Sequence, residues 1–289
     1  MADERRHPED EGVRGELDQD RYVGGRDLTR WHNRAGLGLV NIVQWISQRL
    51  GPNGALILIL AAGAAIAAAL TSIFANVYES VTEADGVAGL DHPVLAAGQS
   101  VRSPVLDVIV TAYTDIGGGI GMPVIALIAI AVLGFRRRSW TPAILIATAG
   151  AGAVLMITAG KQLIGRSRPP LSDAVPPYEY SAAFPSGHAL GSLVVAGIVA
   201  YLVVLRLSTA RGRVLTVVVA AVFAATMGLS RVYLGHHWLT DILGAWSLGL
   251  AWLALVITAH RLYLTARKGR QPTADQPAGE STGRPDPLT

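Results

Sequence analysis

Residues 54–75 read GALILILAAGAAIAAALTSIFA, 22 residues without a single charge. A helix of that length reaches about 33 Å, enough to cross the roughly 30 Å hydrocarbon core of a bilayer. The stretch therefore predicts a membrane-spanning helix, and the rest of the chain repeats its character. Of 289 residues, 51% are hydrophobic and 16% charged, against about 25% charged in ordinary soluble domains. Mean hydropathy is +0.40.

Further apolar runs extend the pattern. Gly121–Phe135 forms a second span, approached by Val105–Ile116, which Asp107 and Asp115 interrupt and Gly117-Gly118-Gly119 bends. Trp140–Ile164, His188–Leu205, Val214–Leu229 and Ile242–Ala259 complete six. The predicted fold is thus all-α, a polytopic six-helix membrane domain over residues 53–265. Residues 76–104, with Glu79, Glu83, Asp85 and Asp91, are expected to form a polar extramembrane loop. Residues 1–35 and 266–289 are charged and poor in apolar periodicity, and are expected to be disordered tails. No secretory signal is expected, because the N-terminal region lacks an apolar core. Within 36–52, Leu39, Val43, Ile46 and Leu50 recur at helical spacing. That segment reads either as a helix lying on the membrane surface or as a loosely ordered juxtamembrane stretch.

Charge orients the bundle. Arg136–Arg138 follow span two, Arg206, Arg211 and Arg213 follow span four, and Arg261, Arg267, Lys268 and Arg270 follow span six. Six spans put all three clusters on one face, and the positive-inside rule makes that face cytoplasmic. Both termini are then cytoplasmic too. The sequence pI is about 9.4, but a net charge of only +3 and arginines gathered at helix ends argue against nucleic acid. The absence of cysteine excludes disulfides, thiolate metal sites and cysteine nucleophiles.

Three motifs fall on the opposite, extracytoplasmic face: Lys161-x6-Arg168-Pro169, Pro185-Ser186-Gly187-His188 and Ser230-Arg231-x5-His237-x3-Asp241. Lys161 is one of two lysines beside 22 arginines. With Arg168, it offers a point charge and a planar fork suited to phosphate oxygens. Alone, the pair also reads as a membrane anchor, but it lies on the face where positive charge is disfavoured, and Arg166 crowds it. Ser186 and Gly187 open a helix whose N–H groups and dipole favour an anion. His188 at that end could protonate a leaving oxygen; the bland reading is a turn with a capping histidine. His237 and Asp241 are spaced to meet on one helical face. The carboxylate would fix one imidazole tautomer and free the other nitrogen as a nucleophile, or the two form a structural hydrogen-bonded pair. His236 is expected to point away. A metal centre is disfavoured, since the three cations repel one and no carboxylate cluster suits magnesium.

These motifs resemble the three signatures of the type 2 phosphatidic acid phosphatase family, which includes bacterial undecaprenyl-diphosphate phosphatases. The resemblance covers about residues 53–262, and no motif residue departs from the pattern. It implies a membrane-bound phosphatase working without cofactor or metal. His237 would attack phosphorus and form a phosphohistidine, oriented by Asp241. His188 would protonate the leaving oxygen and then activate water. Lys161, Arg168, Arg231, Ser186 and Gly187 would hold the phosphoryl oxygens. The expected substrate is a lipid phosphate or diphosphate, with polyprenyl diphosphate ahead of phosphatidic acid and phosphatidylglycerol phosphate. Transfer of the phosphoryl group to a second acceptor, and non-catalytic lipid binding or transport, are the competing readings. Oligomeric state is left open.

Overall fold

The computed structural model describes residues 22–23, 26–27, 54–83 and 85–268. Its helices are α1 (Gly54–Glu83), α2 (Asp91–Ser100), α3 (Pro104–Asp115), α4 (Gly121–Arg137), α5 (Thr141–Ile164), α6 (Gly187–Val204), α7 (Ala210–Tyr233) and α8 (Leu239–Lys268). Within the first tail, β1 (Tyr22–Val23) pairs antiparallel with β2 (Arg26–Asp27), Tyr22 opposite Asp27. The expected surface helix over 36–52 lies outside the described residues, as do the remainder of the N-terminal tail and residues 269–289.

Local chemistry sets the helix ends. Ser103 caps α3, accepting from Leu106 N at 3.3 Å, and Pro104 supplies the fixed φ of a first helical residue. Thr209 caps α7 through Gly212 N at 3.2 Å. At the far end of α5, Gly165 turns left-handed (φ 61°) and returns its N–H to the Lys161 carbonyl, a glycine C-cap.

Among the described residues, α1, α5, α6, α7 and α8 are long and apolar enough to cross a membrane. Helix α4 is shorter, its 17 residues giving about 25 Å. Its two ends lie beside those of α6. A Cβ on Gly118, just before α4, would lie 3.4 Å from His188 Nε2 at the start of α6. At the other end, Arg137 donates to the Leu202 carbonyl near the end of α6.

Two expectations are corrected. The polar loop over 76–104 is helical instead: α1 runs on to Glu83, a 3₁₀ turn covers Gly86–Leu90, and α2 follows. Glu79 and Glu83 ride on α1, which buries Val77, and Asp91 opens α2, which buries Leu95, so charge content misreads the stretch as loop. The approach to span two is a separate helix, α3, ended by a turn through Gly117 and Gly118.

Helix α8 is the axis of the bundle. Buried Ile146, Ala149, Leu190, Ile198, Ile242 and Leu253 join α5, α6 and α8 into one core. With no hydrophobic drive between helices in lipid, small residues that admit close approach hold such bundles. A Cβ on Gly152 of α5 would fall 2.2 Å from the Trp252 ring of α8, and that indole donates to the Ala149 carbonyl at 3.0 Å. Helix α1 runs antiparallel along α8. Its Gly63 faces Thr258, while Phe74 and Tyr78 stack on Phe184, which covers Gly244. Leu127, Leu155, Leu163 and Val217 stay exposed on the outside, the surface a bilayer would wet.

Candidate active site

All the residues singled out in the three motifs meet at one end of the bundle. The α7–α8 turn supplies the centre. Arg231 ends α7, and the chain reverses through Gly235 (φ 73°), where a Cβ would strike the Asp173 carbonyl oxygen at 2.1 Å. Here only glycine fits. His237 follows before α8 begins, so it sits in the turn and not on the helix. Its Nδ1 lies 3.2 Å from Asp241 Oδ2, which also accepts the Trp238 N–H at 2.9 Å.

The protonation of that ring follows from its neighbours. Nδ1 faces a carboxylate and must donate. Nε2 is 3.2 Å from Arg168 Nη1, and a guanidinium has only donors. Nε2 therefore carries the lone pair. Burial first, then the Arg168 and Arg231 cations, hold His237 well below the usual histidine range, so the neutral ring persists at ordinary pH.

Arg168 is locked in place. It donates to the His236 carbonyl at 2.7 Å and to Ser181 through its carbonyl at 2.7 Å and its hydroxyl at 3.1 Å. Lys161 shares that Ser181 hydroxyl at 2.8 Å and takes the Ala182 carbonyl at 2.6 Å. Ser186 caps α6, accepting from Ala189 N at 3.4 Å, while its own N–H reaches the Asp241 carbonyl at 3.2 Å. A hydroxyl that accepts still has its proton to give. Gly187 follows as the first residue of α6, where N–H groups lack helical partners. His188 beside it lies in the field of Arg231, Glu179 and Arg168. His236 leaves the site, pairing its Nε2 with the Val175 carbonyl at 2.7 Å.

Sequence reasoning missed three residues here. Glu179 bridges Arg168 Nη2 at 2.8 Å and Arg231 Nη2. Burial alone pushes its carboxyl up, but Arg231 and Arg168 override this and bring it down to about 2. Arg166 binds the second oxygen of Asp241, Oδ1, at 2.6 Å. Asp91 pairs with Arg166 at 2.7 Å and is 3% exposed. Only Arg166 left a trace in the sequence, standing two residues from Arg168.

Known proteins share the sequence and the fold that carry this site. Residues 139–263 match the sequence profile of the PAP2 superfamily. The chain is 31% identical over 186 residues to phosphatidylglycerophosphatase B of Bacillus subtilis (strain 168), covering 64% of this chain and 90% of the relative. It also resembles the crystal structure of a transmembrane PAP2-type phosphatidylglycerolphosphate phosphatase from Bacillus subtilis, with a TM-score of 0.60 and 29% identity. That likeness covers 66% of this chain and 96% of the other. With that much of a relative matched at that identity, and helices fit to span a bilayer, the chain belongs to the PAP2 superfamily and is a multi-pass membrane phosphatase of that type.

Proposed function

We propose that the protein hydrolyses the terminal phosphate of a membrane lipid at the extracytoplasmic face, through a phosphohistidine on His237. The observation that carries this reading is the His237 ring, pinned by Asp241 on one nitrogen and presenting the lone pair of the other beside Arg168. Nε2 attacks phosphorus as the bond to the leaving oxygen breaks, and His188 gives that oxygen its proton. Water, deprotonated by His188, then attacks the phosphohistidine; phosphate leaves and the ring is restored. Lys161, Arg168 and Arg231, with Ser186 and the Gly187 N–H, stabilise charge on the equatorial oxygens.

Sidedness rests on charge. Arg136–Arg138, Arg206, Arg211, Arg213 and Arg261 gather at the end of the bundle away from the site, which the positive-inside rule makes cytoplasmic. Arg166, Arg168 and Arg231 oppose the rule but are matched by Asp91, Asp241 and Glu179. A site at the membrane boundary receives a head group while its tails stay in lipid. Phosphatidylglycerol phosphate becomes the first candidate because of the named relative, ahead of the polyprenyl diphosphate favoured from sequence. Phosphate release by detergent-purified protein, offered phosphatidylglycerol phosphate, polyprenyl diphosphate and phosphatidic acid with EDTA present, tests the reading. EDTA-resistant release from one of them is expected; transfer to an added acceptor without free phosphate would contradict hydrolysis.

Glu179 occupies the two arginines that the phosphoryl group would use, so an incoming phosphate has to displace a carboxylate. Replacing Glu179 with Gln removes a charge-assisted bond of about 1.5 kcal/mol to that grip. KM should fall by about tenfold with kcat little changed, and vanadate should inhibit at correspondingly lower concentration. A raised KM would show that Glu179 assists binding instead.

A further inference from the structure

Helix α2 begins with a buried carboxylate that none of the three motifs contains. Asp91 lies ahead of the segment that matches the PAP2 superfamily, and 149 residues separate it from its main partner, Thr240. It accepts Thr240 N at 2.9 Å on Oδ1 and Thr240 Oγ1 at 2.7 Å on Oδ2. Oδ2 also takes Arg166 Nη2 at 2.7 Å. The next residue, His92, sets its ring edge-on to Trp238 at 4.8 Å, and the Arg166 guanidinium lies over the same indole at 5.8 Å. The start of α2 is thus clamped to the start of α8.

This arrangement decides how Arg166 meets Asp241. Arginine and carboxylate pairs readily close as a two-pronged fork that engages both oxygens. Here the fork is divided: Nη1 goes to Asp241 Oδ1 at 2.6 Å and to Thr240 Oγ1 at 2.7 Å, and Nη2 goes to Asp91. Asp241 therefore meets the guanidinium through one oxygen only. Its Oδ2 stays free to hold His237 Nδ1 and the Trp238 N–H. With Asp91 removed, nothing keeps Nη2 from turning onto Asp241, competing with His237 for Oδ2 and drawing negative charge from it.

We infer that Asp91 is a positioning residue for the His237 nucleophile: by taking one arm of Arg166, it reserves one oxygen of Asp241 for the imidazole. The inference rests on the His237 mechanism above. Asp91 touches no reacting atom, so its effect should appear in turnover and not in substrate binding. It should also vanish once Arg166 is gone.

The test is a double-mutant cycle on lipid-phosphate hydrolysis by the full chain in detergent, using Asp91→Asn, Arg166→Gln and their combination, with His237→Ala as control. Asp91→Asn alone should lower kcat by about 10–100-fold, the range typical when a partner that orients a reactive ligand is lost, with KM within about twofold. In the Arg166→Gln background it should change kcat by less than about twofold. An equal loss in both backgrounds would assign Asp91 to holding α2 in place, and the inference falls. It falls equally if the loss appears in KM alone or if kcat is unchanged. Should Asp91→Asn not fold, Thr240→Val removes the hydroxyl shared by Asp91 and Arg166 at nearly constant volume. It leaves the Asp91–Arg166 bond in place, so kcat and KM should both be retained within about twofold, and a large loss of kcat there is a refutation. Turnover that survives His237→Ala overturns the nucleophile and this inference together. Turnover that dies with His237→Ala but ignores Asp91→Asn overturns this inference alone.

Discussion

Replacing His237 by Ala is expected to abolish phosphate release, a loss of at least about 10⁴-fold, the order seen when a nucleophile or its base is removed from a concerted site. The protein should stay folded. Asp241 Oδ2 keeps the Trp238 N–H, Asp241 Oδ1 keeps Arg166, and Arg168 keeps the His236 carbonyl and Ser181. The truncation thus strands no charge, and only the space of the ring is emptied. Gel filtration and a thermal melt in detergent separate this outcome from unfolding. Lys161 and Arg168 are held as donors and His236 is turned onto Val175, so none of these three takes over the attack. A folded variant that still releases phosphate from the preferred lipid would remove His237 from the chemistry.

Asp241→Asn should come next, lowering kcat by about 10³–10⁴-fold, by analogy with the cost of misplacing the imidazole tautomer in a serine-protease triad. The two oxygens of Asp241 face different donors: His237 and the Trp238 N–H on one side, Arg166 on the other. Asparagine has one oxygen and one donor nitrogen. If the amide nitrogen faces Arg166, two donors oppose each other in a buried site. If it faces His237, the ring must accept at Nδ1 and carry its proton on Nε2, where the lone pair is needed. Neither orientation leaves an oriented, neutral nucleophile. KM for the lipid should stay within about threefold, because the phosphate-holding cations lie elsewhere. A loss of kcat under tenfold would reduce the His237–Asp241 contact to a structural pair.

The bundle was legible because lipid imposes long uncharged runs. Helices α5, α6, α7 and α8 start within about four residues of the spans read from hydropathy. The motif residues were legible because each motif is local, with its spacing set by one helix end or one turn. Asp91 and Glu179 were not legible. Composition around Asp91 is that of a solvated acidic stretch, and its burial arises only when α2 docks on α8. Glu179 sits between Tyr178 and Tyr180 in a segment without periodicity, and its partners Arg168 and Arg231 converge on it through separate elements. The overrun of α1 to Glu83 was missed for a related reason: glutamate and asparagine end a hydropathy run without ending a helix.

The pairing of α1 with α8 carries a consequence for the order of biogenesis. A ribosome releases α1 some 150 residues before α8, against which Gly63 packs, has been made. Until then the first helix waits in the lipid with its small-residue face uncovered. The same late arrival brings Asp241 to Arg166 and, in the preceding turn, His237 to Arg168. The insertion that closes the bundle therefore also assembles the candidate site.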